Sequence, residues 1–212
     1  MTRKWDRVKT LHQKILHLDK FLVDGIARGD LDCVVLYLMR RTGIRVGGNE
    51  SIKGRLIKDA TYGASTLRAK HAKIVPSGDL VIDFIGKKGV RHRHVIDDIF
   101  LIRAFKDLLR TRTGNDPLFQ EVTNKSTMSY LRNVLQEPEL KNHDLRTYIA
   151  NAVAISEVKK HKPPKTEKEY RFLRNVVGQL VSEKLGNGRY HALNSYINPK
   201  VFDIWRRPGW SP

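Results

Sequence analysis

Tyr196 lies in the stretch Ser195-Tyr196-Ile197-Asn198-Pro199, shortly after a long amphipathic run from Thr166 to Leu185 stops at Gly186. A glycine there takes the left-handed cap that ends a helix, and Pro199 limits any new helix to starting near it. A phenol in such a short polar turn is placed to react rather than to pack; the alternative is a half-buried tyrosine anchoring a C-terminal helix. Arg45 follows a buried apolar run and precedes Gly47 and Gly48. Its guanidinium can project where a substrate backbone approaches closely, or pair with Glu50. His143 and Arg146 are three residues apart near the start of a helix, on one face and beside an N-terminus that favours an anion. Lys87 and Lys88 sit between Gly86 and Gly89 at a hairpin tip, either solvated or reaching into a DNA groove. Together these residues offer one nucleophile and several cations for a phosphate.

Composition narrows the partner. The 212 residues carry 40 Lys+Arg against 22 Asp+Glu, a net charge of +18 that recurs along the whole chain. Such an excess fits a polyanion, nucleic acid before an acidic membrane. No apolar run reaches the roughly 18 residues of a membrane span, and Met1-Thr2-Arg3-Lys4-Trp5 leads into no signal-peptide core. An intracellular protein is expected, in cytoplasm, nucleoid or nucleus. A single cysteine, Cys33, excludes internal disulfides and a cysteine-built metal site; among Val34, Val35 and Leu36 it reads as a buried structural thiol. His92 and His94, two apart on one strand face, have no third ligand nearby and read as part of a basic face. Asp97-Asp98 reads as the acidic first turn of a helix rather than a metal-binding carboxylate pair. No carboxylate cluster resembles a two-metal nuclease site and no Walker-type loop is present, so neither metal nor cofactor is expected.

The elements that must position these groups are mostly helical. Val8, Leu11, Ile15, Leu18, Leu22 and Ile26 recur at three- and four-residue steps and predict a helix from Asp6 to Arg28. A second begins near Asp30 or Asp32, either able to cap it, and runs through Met39. Residues 70–96 predict a three-stranded antiparallel meander with turns at Pro76-Ser77-Gly78-Asp79 and at Gly86–Gly89. A helix follows through Phe100 and Leu109, then a shorter one from Ser126 to Gln136 with Ser126 as cap, then an alanine-rich one from Asn142 to about Val158. Lys159-Lys160-His161-Lys162-Pro163-Pro164-Lys165 is a basic, proline-stiffened linker, expected to lie along phosphates. The expected fold is one domain over residues 1–212, mainly α with a small three-stranded antiparallel β-sheet (α+β).

These segments carry a resemblance. Gly43-Ile44-Arg45-Val46-Gly47-Gly48-Asn49-Glu50 resembles the "IRVGNE" of type IB DNA topoisomerases, the small bacterial and poxvirus-like branch. Tyr62-Gly63-Ala64-Ser65-Thr66-Leu67-Arg68 resembles their "YGLTTLR", and Phe84-Ile85-Gly86-Lys87-Lys88-Gly89 their "FVGKGG". Asp144-Leu145-Arg146-Thr147-Tyr148 resembles "DLRTY", and Leu185-Gly186-Asn187 with Ser195-Tyr196-Ile197-Asn198-Pro199 resembles "LGNTPAVCRKSYIHP".

The resemblance covers nearly the whole chain and implies the tyrosine recombinase/type IB topoisomerase catalytic fold. It implies Tyr196 as nucleophile, Arg45 and Arg146 clamping the nonbridging oxygens of the scissile phosphate, and Asn187 donating a hydrogen bond to that phosphate. Lys87, with Lys88 as its rival, is the implied general acid for the leaving 5′ oxygen. The implied enzyme relaxes supercoiled double-stranded DNA as a monomer, through a 3′-phosphotyrosyl intermediate, without metal or ATP. Tyr62, Arg68, Lys70, Lys88, His143, Lys159, Lys160 and Lys162 are the expected DNA contacts.

Departures from the pattern are as informative. Gly47-Gly48 replaces one glycine, Gly188-Arg189 replaces Thr-Pro, and Leu193 stands where arginine is common. His143 stands where these topoisomerases often carry lysine and tyrosine recombinases histidine. The family's small N-terminal β-rich clamp domain is expected to be absent from this chain, or to be a separate domain or subunit, leaving weaker and more salt-sensitive DNA binding. A tyrosine recombinase or integrase is the nearest rival, opposed by the short tail after Tyr196 and the topoisomerase character of YGASTLR. A noncatalytic DNA-binding module is the other, opposed by the intact set of Arg45, Lys87, Arg146, Asn187 and Tyr196.

Overall fold

The apolar steps near the N-terminus form α1 (Lys4–Ala27), which buries Val8, Leu11, Ile15, Leu18 and Leu22 along one stripe. The structure, a computed structural model, describes residues 3–47 and 61–205. Asp30 caps α2 (Leu31–Thr42) by accepting from the Asp32 and Cys33 amides, and Gly43 ends it with a left-handed φ of 77°. The meander follows as β1 (Ala72–Ile74), β2 (Leu80–Ile85) and β3 (Arg91–Ile96), antiparallel in that order, with Phe84 opposite His92. Then come α3 (Ile99–Leu109), α4 (Asn124–Leu135), α5 (Asn142–Val158) and α6 (Glu167–Leu185). Among the described residues no helix is long and apolar enough to cross a membrane.

Two helix starts differ from expectation. Ser126 is not the cap of α4: Thr123 is, its hydroxyl accepting from the Ser126 amide while Ser126 Oγ accepts from the Thr123 amide, a reciprocal capping box. Asp98 precedes the first turn of α3 and caps it, accepting from Phe100 and Leu101.

Two apolar clusters divide the chain. One joins α1, α2, the sheet, α3 and α4 and reaches Leu145; the other begins at Ile149 and takes in α6 and the C-terminal residues to Trp205. Helix α5 therefore runs through both, and Arg146 lies on it at the seam. The start of α5 is pinned to α1 by a buried pair: Arg7 Nε and Nη2 reach the two Asp144 carboxylate oxygens at 2.8 and 3.1 Å, and Asp144 also accepts from the Lys141 amide at 2.9 Å.

The expected short polar turn around Tyr196 is different in kind. After Gly186 (φ 57°) caps α6, Arg189–His191 makes one helical turn and Ala192–Tyr196 a π-helical turn, followed by a 3₁₀ segment, Pro199–Trp205. Ala192, Leu193 and Tyr196 are buried, which requires a helical turn rather than an open loop. Leu193 explains its own departure from arginine: it packs on Gly178 of α6, where a Cβ would come 2.6 Å from Leu193 Cγ.

Candidate active site

Arg146 is 2 % exposed and tied to two helix ends. Its Nη1 donates to the carbonyl of Gly43, where α2 stops, and its Nη2 donates to the carbonyl of Leu185, the last residue of α6, at 3.0 Å. Carbonyls at a helix C-terminus lack intrahelical partners and carry partial negative charge, so a guanidinium satisfies both. Nε is buried without a partner, and a guanidinium has five donors. Donors remain for an incoming anion. Burial pushes the Arg146 pKa down to about 10, with nearby Tyr196 opposing the fall and Arg45 adding to it.

Arg45 comes from the segment that follows α2. Its carbonyl accepts from the Ala64 amide at 2.8 Å, and the Val46 carbonyl accepts from Ser65 N and Oγ at 2.7 and 2.8 Å. Gly63 permits so close an approach, since a Cβ there would lie 2.6 Å from the Arg45 carbonyl oxygen. The Tyr62–Thr66 turn thus grips the segment bearing Arg45. The alternative pairing of Arg45 with Glu50, and the second glycine Gly48, lie outside the described residues.

Tyr196 is 4 % exposed, with Arg146 Cζ 5.5 Å from its ring centroid and the His143 ring stacked on it at 5.0 Å. Burial raises its pKa, but the charges of Arg146 and Arg45 and hydrogen bonding to both guanidiniums outweigh it, leaving the phenol below its ordinary value. The ring anchors the second core, while the oxygen lies under the influence of two guanidiniums. His143 keeps an exposed edge, yet crowding of its ring, then the charges of Lys4 and Arg146, push its pKa down to about 4. It is neutral at pH 7.

Asn187 follows the Gly186 cap of α6, two residues beyond the Leu185 carbonyl that Arg146 grips. Its backbone is held, the amide donating to the Ser182 carbonyl at 3.1 Å and the carbonyl accepting from Ser182 Oγ. Its side-chain Oδ1 and Nδ2 are buried with no partner. Leaving such groups unpaired costs about 1–3 kcal/mol each; a bound anion can accept from Nδ2 and remove that donor's share, whereas Oδ1 needs a donor.

His92 and His94 are not a basic face. Both are half-buried and their pKa values are lowered, first by burial, that of His94 to about 4. The reason is packing: His92 stacks on Phe84 at 5.0 Å and 6°, and it fills space beside Gly86 and Gly186, where an added Cβ would come 2.7 and 2.2 Å from its ring. A neutral imidazole thus joins the base of the lysine hairpin to the glycine preceding Asn187.

Lys87 and Lys88 are exposed on that hairpin, Lys88 with a φ of 66°, and among the described residues neither makes a hydrogen bond or ion pair with the cluster. Lys70, Lys159, Lys160 and Lys162 are exposed, Lys160 pairing with Glu157 at 2.8 Å. Arg68 is half-buried and donates to the Asn115 carbonyl, and the Tyr62 ring packs edge-on against His71 at 4.3 Å. Among the described residues no cluster of His, Cys, Asp or Glu is placed to hold a metal ion.

Two supporting residues escaped the sequence reading. Asn151 Nδ2 donates to the Tyr196 carbonyl at 2.9 Å, and its Oδ1 accepts from the Asn198 amide at 2.8 Å. A polar residue within the alanine-rich, buried stretch of α5 was its only signal. Lys4 Nζ donates to the Ser195 carbonyl, and nothing local in the sequence marks it.

Residues 2–194 match the family described as eukaryotic DNA topoisomerase I, catalytic core. The DNA topoisomerase 1B of Acanthamoeba polyphaga mimivirus is 32% identical over 146 residues, covering 61% of this chain and 41% of that protein. The chain therefore spans less than half the length of that relative. The family match stops two residues short of Tyr196, so the phenol's part in the site rests on the geometry above.

Proposed function

This chain belongs to the DNA topoisomerase I catalytic-core family, and we propose that it acts as a type IB enzyme, breaking one strand of duplex DNA with Tyr196 and resealing it. Tyr196 Oη bonds to phosphorus as the bond to the 5′ oxygen breaks; the phenol proton goes to solvent, and Lys87 gives a proton to the departing oxygen. The 3′-phosphotyrosyl bond conserves the energy of the broken backbone bond. While one end is held, the freed 5′ end swivels, and the reverse steps restore the strand.

Each residue has a physical task. Attack builds negative charge on the nonbridging phosphate oxygens, and the planar forks of Arg45 and Arg146 match that charge better than mobile ammoniums. The Asn187 amide supplies a further donor. A phenol held below its ordinary pKa loses its proton more readily as it attacks. The leaving alkoxide is far more basic, so protonation matters most at that step. The exposed Lys87 meets the 5′ oxygen once DNA lies across its hairpin.

The observation that carries this reading is the convergence of two guanidiniums on the Tyr196 phenol. The 212-residue chain is expected to relax plasmid of arbitrary sequence as a monomer without Mg²⁺ or ATP, and to leave an SDS-stable adduct. Tyr196→Phe is expected to keep DNA binding and lose the adduct entirely; an adduct surviving that change overturns the assignment. One observation favours a second reading, strand exchange by a tyrosine recombinase: His143, three residues before Arg146, stacks on the phenol. Joining confined to particular sites, without relaxation, would select it.

A further inference from the structure

We propose that Lys4 is a positioning residue for the nucleophile: its ammonium fixes the backbone beside Tyr196 and adds a third positive charge that favours the phenolate. The inference rests on the reading of Tyr196 given above. Lys4 is the first residue of α1, and its Nζ donates to the Ser195 carbonyl while lying 5.7 Å from the Tyr196 ring centroid and 4.5 Å from that of Trp5.

That placement is built rather than incidental. One turn along α1, Arg7 grips both oxygens of the fully buried Asp144, which sits two residues before Arg146. The start of α1 is thereby locked over the start of α5, and Lys4 is carried to the nucleophile's turn. Arg45 arrives from the segment after α2, Arg146 and neutral His143 from α5, and Lys4 with Arg7 from α1; Asp144 is the acid set against them. Burial lowers the Lys4 pKa, and the charges of Tyr196 and Asp144 oppose that fall. The ammonium and an ionised phenol stabilise one another.

The consequence is a division of labour. Arg45 and Arg146 must serve both the phenol and the phosphate once DNA is bound, whereas Lys4 bonds to a backbone carbonyl and remains beside the phenol. It sustains the low phenol pKa when the arginines turn their donors to the phosphate.

The test uses the full chain carrying [ζ-¹³C]tyrosine, titrated by NMR without DNA, with the Tyr196 signal assigned by its absence in Tyr196→Phe. Lys4→Gln is expected to raise the Tyr196 pKa by roughly one unit, and Lys4→Arg to raise it by less than half as much. On a DNA substrate with a 5′-bridging phosphorothiolate, whose departing thiolate needs no acid, Lys4→Gln should cleave about tenfold more slowly at neutral pH and recover at alkaline pH. An unchanged Tyr196 pKa in Lys4→Gln overturns the proposal, including the case in which the melting temperature falls, since that would be support of the fold alone. A Lys4→Arg shift as large as that of Lys4→Gln overturns the charge role. Because the titration needs no DNA, it stands apart from the assigned activity: a wild-type chain that forms no adduct sinks that activity and leaves the pKa result readable.

Discussion

The seam that holds Arg146 and the hairpin tip that holds Lys87 are opposite kinds of structure. Arg146 is 2 % exposed, bonded to two helix ends, with its Cζ 5.5 Å from the Tyr196 ring centroid. Lys87 is exposed beyond the last pair of its ladder, Ile85 with Arg91, at a tip closed by the Gly86 amide donating to the Val90 carbonyl at 2.7 Å and flanked by the Arg91–Asp83 ion pair at 2.7 Å. Groups that must meet charge developing on phosphorus gain from being fixed before substrate arrives, because no reorganisation is then needed at the moment of reaction. In the proposed reaction, a proton donor for the leaving oxygen needs only to arrive in time, and DNA would bring the hairpin to it. On the proposed reading, the contrast means that half of this site is assembled by folding and the other half by the substrate.

Arg146→Ala gives the largest effect and touches both function and fold. Loss of one preorganised donor costs ~10²–10³ in rate in comparable sites. Here the Gly43 and Leu185 carbonyls also lose their partner, which should cost about 2–4 kcal/mol of stability. Single-turnover cleavage and urea unfolding should both report the change. If stability holds, the seam is not over-determined and the comparison fails.

Lys87→Ala should do only one of these things. Cleavage is expected to slow by ~10²–10³, within the usual range for general acids, while the melting temperature stays put. A 5′-bridging phosphorothiolate should restore the rate; the same rescue found for Lys88→Ala and not for Lys87→Ala would move the role by one residue.

Gly186→Ala probes where the two regions meet. The residue has a φ of 57° and its Cβ would come 2.2 Å from the His92 ring, which also fills the space beside Gly86. Left-handed backbone costs an alanine about 1–2 kcal/mol, and the displaced ring must disturb the hairpin base as well as Asn187. Unfolding should therefore lose at least that much, with cleavage reduced alongside.

The sequence disclosed these regions unequally, for a physical reason. Local rules are written locally: Thr166 caps α6 and Gly186 ends it, Asp30 caps α2, and glycines bracket the lysine hairpin, so helix bounds and the meander were legible. The family motifs brought Arg45, Lys87, Arg146, Asn187 and Tyr196 into one picture. What stayed hidden depends on long-range contact. Lys4 and Ser195 are 191 positions apart, the carbonyls that grip Arg146 belong to two other helices, and no periodicity reveals that His92 and His94 are packed and neutral. The helical turn at Ala192–Tyr196 is masked in the sequence because its polar letters, Asn194 and Ser195, outweigh Ala192 and Leu193, which are buried.

The smallest expected effect concerns histidine. His71, His94 and His143 have pKa values lowered to about 4, and that of His92 is lowered too, with burial the leading cause in each. The unfolded chain titrates near 6.5, so between these values it binds more protons than the folded one, and unfolding free energy rises with pH. The stability carried by the neutral rings is complete above about 6.5 and is lost as pH falls towards 4. The melting temperature should fall over that interval. The two regions then separate by ligand. His71 accepts from the Arg68 amide through Nδ1 at 3.1 Å, a bond that protonation breaks, and its depression comes from burial and from Lys70 and Arg68. His143 owes part of its depression to Lys4 and Arg146. An anion seated between Arg45 and Arg146 neutralises that contribution, so inorganic phosphate should raise the His143 pKa by roughly half a unit and leave His71 unmoved. Ring-proton NMR titrations with and without phosphate would measure both, and equal shifts at the two histidines would mean that the seam holds no preformed anion site.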